Sequence, residues 1–157
     1  MSTKAFISCS SAENTRAIPG AVFSFLVRGH QTGNSFSLVK ISVQHGNEPP
    51  AHTHTREDEF YYILSGAMKF IVDGEELIAR AGECAYLPVN KPHQFEVIGE
   101  KAEVLMLVTA AGLDQWFWDN SLPSPDGQPL PLMQGPPPAE AIEHFVTSLG
   151  DYGVIMQ

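Results

Sequence analysis

Thiols and cationic side chains are scarce in this chain of 157 residues. The two cysteines, Cys9 and Cys84, show no close pairing of the kind a disulfide framework or a thiolate zinc site needs. Both read as free thiols, with Cys84 assigned to the core of a strand. Nine Lys and Arg face 18 Asp and Glu, and the resulting formal charge of -9 excludes nucleic acid as an expected partner, because phosphate binding rests on clustered cations. No apolar run reaches membrane-spanning length, and the opening MSTKAFISCSSAENT lacks the apolar block of a signal peptide. The expectation is a cytoplasmic protein without membrane contact. No internal repeat is present, and the length suits one compact domain with a buried core.

What the chain does have is short β-type runs punctuated by turn residues. Residues 1–20 are rich in Ser and end in Pro19-Gly20, reading as an amino-terminal arm. From residue 21 to 111, VFSFLV, SFSLVKISV, KFIV, EELIA and EVLMLVTAA read as strands of an all-β domain. Asp73-Gly74 between KFIV and EELIA is a strong hairpin signal, because a two-residue turn with positive φ favours Asp or Asn followed by Gly. Val104 to Val108 is apolar at every position, which predicts a strand covered on both faces.

Residues 112–157 differ in character. Trp116, Phe117 and Trp118 crowd one short piece, and seven of the twelve prolines fall between positions 121 and 138, ruling out regular helix or central strand there. Beyond them, Ile142, Phe145, Val146 and Leu149 form a helical stripe that ends at Gly150. A proline-rich arm followed by an amphipathic helix packing on the barrel is expected.

The stretch GNEPPAHTHTREDEFYYILSG, residues 46–66, carries the chemistry. His52 and His54, two apart on a strand, point to the same face. Glu59 opens the next aromatic run and can turn back beside them, and His93 lies in GECAYLPVNKPHQFEV, a strand, turn and second strand. Three imidazoles and one carboxylate make a mixed metal site for one divalent transition ion per chain, with Fe, Mn, Ni, Co, Cu and Zn all suited. Glu57 and Asp58 read as a solvated turn with Arg56. Tyr61, Ile63, Phe95 and Val97 share strand phase with ligands and are candidates to line a substrate pocket, or plain core. His30, His45 and His144 read as surface or locally bonded histidines.

These stretches resemble the paired motifs of the cupin superfamily, G(X)5HXH(X)3-4E(X)6G and G(X)5PXG(X)2H(X)3N. The first fits in full from Gly46 to Gly66, with Glu59 rather than Glu57 at the ligand position. The second has Gly82, Pro88 and His93, but Asn90 replaces Gly and Val97 replaces Asn. Asn tolerates the left-handed backbone that Gly would supply. Val97 puts an apolar wall where the motif has an amide. The resemblance implies an antiparallel jelly-roll barrel over residues 21–111, His52, His54, Glu59 and His93 around the metal, and commonly a homodimer. The HXH(X)4E spacing with aromatics after it looks most like the quercetin dioxygenase-like group, implying dioxygenation of a small enol or phenolic, flavonol-like substrate, with Glu59 as ligand or proton acceptor. A metal-supported binding domain and a sugar or keto-acid isomerase are the alternatives.

Overall fold

In the computed structural model, which describes residues 4–157, strands dominate. They are β1 (Thr15–Ile18), β2 (Ala21–Val27), β3 (Phe36–Gln44), β4 (His52–His54), β5 (Glu59–Val72), β6 (Glu75–Arg80), β7 (Cys84–Leu87), β8 (His93–Thr109), β9 (Leu122–Pro123) and β10 (Val154–Met156). Helix α1 (Leu113–Asp119) and helix α2 (Ala139–Asp151) lie in the last third. Every pairing between these strands is antiparallel, and the fold is the expected all-β jelly roll with a short carboxy-terminal helical extension. The recorded sheet path is open rather than closed into a ring, running β10-β4-β8-β3-β2-β1-β9, with β5 joined to β6, β7 and β8.

β5 and β8 are long enough to serve both halves of the fold, at 14 and 17 residues. In one half Val104 lies between Ile41 of β3 and Ile63 of β5; in the other His93 lies between His52 of β4 and Val72 of β5. The register jumps between the halves, from Ser65 opposite Glu103 to Ala67 opposite Ile98. Gly66 sits at this corner with φ 77°, and a Cβ there would lie 2.6 Å from the Lys101 carbonyl oxygen. Both the dihedral and the space therefore require glycine. The Asp73-Gly74 turn has positive φ at both residues, 52° and 85°, and Asn90 takes the left-handed conformation at 61°.

Alternate residues of these strands fill the interior. Phe23, Phe25, Val39, Ile41, Ile63, Met68, Phe70, Leu87, Val97, Val104, Met106 and Val108 are all buried in one cluster. Leu105 and Leu107 on the opposite face of β8 are half-buried, so this strand alternates where its sequence suggested cover on both faces. Cys84 corrects its assignment to the core. On β7 the inward phase belongs to Ala85 and Leu87, which turns Cys84 and Tyr86 outward.

The termini differ from the arm-and-helix expectation. Thr15–Ile18 is no loose arm but a strand paired with β2 and β9. A second small core gathers Leu113, Trp116, Leu149 and Val154, with the Phe145 ring 5.3 Å from that of Trp116. Phe117 bridges to the main core, its ring 5.1 Å from Phe23, and Trp118 packs on Phe25. Only half of the α2 stripe is covered: Ile142 and Val146 remain 47% and 43% exposed. After α2 the chain turns at Gly153 and adds β10 to the free side of β4, with Val154 opposite His54 and Met156 opposite His52.

Gly66→Ala is expected to destabilise the fold by about 2 kcal/mol or more, since a strained φ alone costs ~1–3 kcal/mol and the carbonyl must also move. Gly74→Ala carries a similar dihedral, φ 85°, but its Cβ meets open space. Thermal denaturation should show the larger loss for Gly66→Ala; equal losses would contradict the corner packing described.

Candidate metal centre

One short strand and the starts of two long ones converge on one buried cluster. His52 and His54 are the inward residues of β4, Glu59 is the first residue of β5 and His93 the first of β8. One donor atom from each lies within 4.8 Å of every other, and the four side chains' residues are 8%, 2%, 2% and 3% exposed. The ring centroids of His52 and His93 are 4.6 Å apart, and those of His54 and His93 are 5.2 Å apart and nearly parallel. Neighbouring donors on an ion with ~2.1 Å bonds stand roughly 3 Å apart. Glu59 meets that scale, with Oε2 3.3 Å from His93 Nε2 and Oε1 3.7 Å from His54 Nε2.

The imidazole tautomers follow from their outer partners. His52 Nδ1 donates to the Pro50 carbonyl at 2.9 Å, and His93 Nδ1 donates to the Lys91 carbonyl at 3.0 Å. A carbonyl can only accept, so each Nδ1 carries the hydrogen and each Nε2 keeps its lone pair for the interior. His54 Nδ1 instead faces Glu57 Oε2 at 3.4 Å. Among the described residues, the Nε2 atoms of His54 and His93 have no hydrogen-bond partner although both are buried. Two such orphans aimed at a carboxylate fit a metal ion, since burying them unpaired is costly.

Electrostatics agree with a cation-binding role. Burial pushes the His52 pKa down to about 4, so this imidazole is neutral at pH 7. Burial also opposes the charged form of His54, but the neighbouring Glu57 and Glu59 carboxylates outweigh it and raise its pKa. Burial likewise works against ionised Glu59, yet His93, His54 and His52 together hold its pKa below the usual carboxylate value. The Glu59 carboxylate and Tyr61 hydroxyl approach at 3.4 Å, and burial with that charge keeps the phenol protonated, its pKa well above the ordinary value.

The candidate pocket residues are packed. Tyr61, Ile63 and Val97 belong to the main core, and Phe95 packs against it with its ring 6.0 Å from Tyr61. Tyr61 is the one whose polar atom reaches a ligand. Glu57 is the residue that sequence reasoning misassigned: it is 2% exposed, not part of a solvated turn. The i, i+3 spacing from His54 was its available signal. Asp58 is half-buried and stays outside the cluster, its Oδ1 accepting from Val89 N–H at 2.9 Å and Tyr86 O–H at 3.1 Å. His45 Nδ1 donates to the Val97 carbonyl at 3.0 Å, and His30 and His144 are exposed.

Residues 39–109 match the family model of the cupin domain. The chain is 27% identical over 96 residues to quercetin 2,3-dioxygenase of Bacillus subtilis, a match covering 60% of this chain and 28% of that enzyme. It spans between 28% and 50% of the length of the curated relatives it matches. Among solved structures it is similar to a predicted oxalate decarboxylase from Thermotoga maritima, at TM-score 0.58 and 21% identity over 66% of this chain and 98% of that one. It is also similar to Pac13, a nucleoside dehydratase of Streptomyces, at TM-score 0.56 and 21% identity over 71% and 88% of the two chains. At such identities the structural likenesses speak for the fold alone.

Purified protein is expected to carry about one divalent transition ion per chain by elemental analysis. His52→Ala, His54→Ala and His93→Ala should each weaken metal affinity by more than the ~10–100-fold typical of losing a supporting hydrogen bond. His144→Ala, on the exposed face of α2, serves as the control and should leave affinity unchanged. Wild-type affinity in the three ligand variants would refute the site.

Proposed function

We propose that this chain, whose residues 39–109 match the cupin domain model and whose relatives include a quercetin dioxygenase, is a metal-dependent dioxygenase of a small enol or phenolic, flavonol-like substrate. The supporting observation is the placement of Glu59. Its two carboxylate oxygens face the bare Nε2 atoms of His93 and His54 at 3.3 and 3.7 Å, at the edge of an otherwise apolar interior. His52, His54 and His93 would hold the metal, and Glu59 would either complete its ligands or take the hydroxyl proton of the substrate. When bound, the ion would supply Lewis acidity. Tyr61 holds its phenol hydrogen towards Glu59, steadying the carboxylate, and Ile63, Phe95 and Val97 form the apolar wall that excludes water.

The alternative is a metal-supported binding domain without turnover. Val97, only 1% exposed, favours it, because an apolar residue there removes a polar group from the inner face of β8. Glu59→Gln separates the two. Gln keeps the shape and a coordinating oxygen but takes no proton, so metal should stay bound while oxygen uptake with enediol or flavonol substrates falls by about 10²–10⁴. If no metal form of the wild-type protein consumes oxygen while a small ligand still binds at the metal, the dioxygenase reading fails.

A homodimer is part of the same reading. Tyr86, Phe60, Leu107 and Leu38 form one row across β7, β5, β8 and β3, and Tyr62 and Leu105 stand beside them. Tyr62 and Tyr86 are 44% and 50% exposed, and a second copy would cover this band. The Trp-rich piece is not available for that contact, since Trp116 is buried within the chain. Light scattering at micromolar concentration should give twice the chain mass; a monomer would contradict this.

A further inference from the structure

The metal-centre reading leaves one buried acidic group without a task. Glu57 precedes Glu59 by two residues yet faces the opposite side of His54, with Oε2 3.4 Å from Nδ1. Both side chains are 3% exposed or less, and neither His54 Nδ1 nor Glu57 Oε2 has a hydrogen-bond partner among the described residues, so each is the nearest polar group left to answer the other. Among those residues Glu57 is within 4 Å of no basic nitrogen other than that of His54. A carboxylate this deep is retained at a cost of several kcal/mol unless a charge or donor answers it.

We propose that Glu57 is a positioning residue of the metal centre, accepting the Nδ1 hydrogen of His54 so that Nε2 stays bare and aimed at the ion. This rests on His52, His54, Glu59 and His93 being the metal centre. Three features distinguish Glu57 from a chance buried pair. First, it supplies what the other two imidazoles already have: His52 and His93 are anchored through Nδ1 by the carbonyls of Pro50 and Lys91, whereas His54 has no such carbonyl. Second, its acceptor is a carboxylate, which makes His54 the strongest electron donor of the three ligands. Third, the charges balance. A divalent ion with Glu59 alone leaves one positive charge in a buried site, and a carboxylate behind His54 cancels it.

The test compares Co²⁺ binding, by competition with a chelator, and the visible spectrum of the Co²⁺-loaded protein for wild type, Glu57→Gln, Glu57→Ala and His52→Ala. Glu57→Ala should weaken Co²⁺ binding by about 10–100-fold and shift the ligand-field bands. Glu57→Gln, whose amide oxygen can accept the same hydrogen, should recover affinity to within about tenfold of wild type. Wild-type affinity and unchanged bands in Glu57→Ala, or no recovery in Glu57→Gln, would overturn the assignment. In case Glu57→Ala fails to fold, ¹⁵N spectra of the Zn²⁺-loaded wild type decide alone: His54 should show a protonated Nδ1 and a metal-bound Nε2, and the reverse would overturn it. If His52→Ala binds Co²⁺ as wild type does, it is the metal-centre reading itself that has failed, and the role of Glu57 falls with it.

Discussion

Burying three imidazoles and two carboxylates in one small volume is the constraint from which the rest of the structure follows. Such a cluster is costly in an apolar interior unless a cation binds it or its members pair with one another. The protein meets this by dividing the imidazole surfaces. The outward Nδ1 edges of His52 and His93 are satisfied by the chain's own carbonyls, and the inward Nε2 edges are left bare around Glu59. Everything that fixes β4 therefore fixes the chemistry. The three-residue strand has β8 on one side and β10 on the other, so the last residues of the chain brace the first pair of ligands.

That brace gives the tail a physical role. The turn at Gly153 lies against Thr55, whose N–H and hydroxyl both donate to the Gly153 carbonyl, and Gln157 N–H closes the far end on the Ala51 carbonyl at 2.9 Å. The small core of Leu113, Trp116, Leu149 and Val154 anchors β10, while Phe117 and Trp118 tie α1 to the main core. Packing at the end of the chain is thus continuous with the alignment of the metal-facing strand. The corner at Gly66 does the equivalent work for β5 and β8, letting one pair of strands serve both halves of the fold.

The ligand set was legible because it depends on local geometry. Period-two spacing placed His52 and His54 together, the Asp73-Gly74 hairpin followed from backbone preferences, and the left-handed Asn90 followed from the Gly that the resembled motif has at that position. Glu57 was not legible. An acid-rich TREDE run reads as solvated, and local sequence does not reveal that Glu57 turns in against His54 while its neighbours Thr55 and Arg56 lie against the distant turn at Gly153. Cys84 was misassigned because the run Cys84–Leu87 fixes alternation but not phase; only the register with β5, Tyr62 opposite Cys84, decides which residues face in. The α2 stripe predicted a covered helix, but a helical pattern does not say how wide the receiving surface is. Here that surface takes Leu149 and Phe145 and leaves Ile142 and Val146 in solvent.

The central claim is that His52, His54, Glu59 and His93 enclose one metal ion. Anomalous X-ray scattering at the cobalt edge, from crystals equilibrated with Co²⁺ near neutral pH, tests it most directly. The account predicts one strong peak per chain, bonded by the three Nε2 atoms and a Glu59 oxygen. A peak at other residues, or fully ordered side chains with no peak among these four, would contradict it.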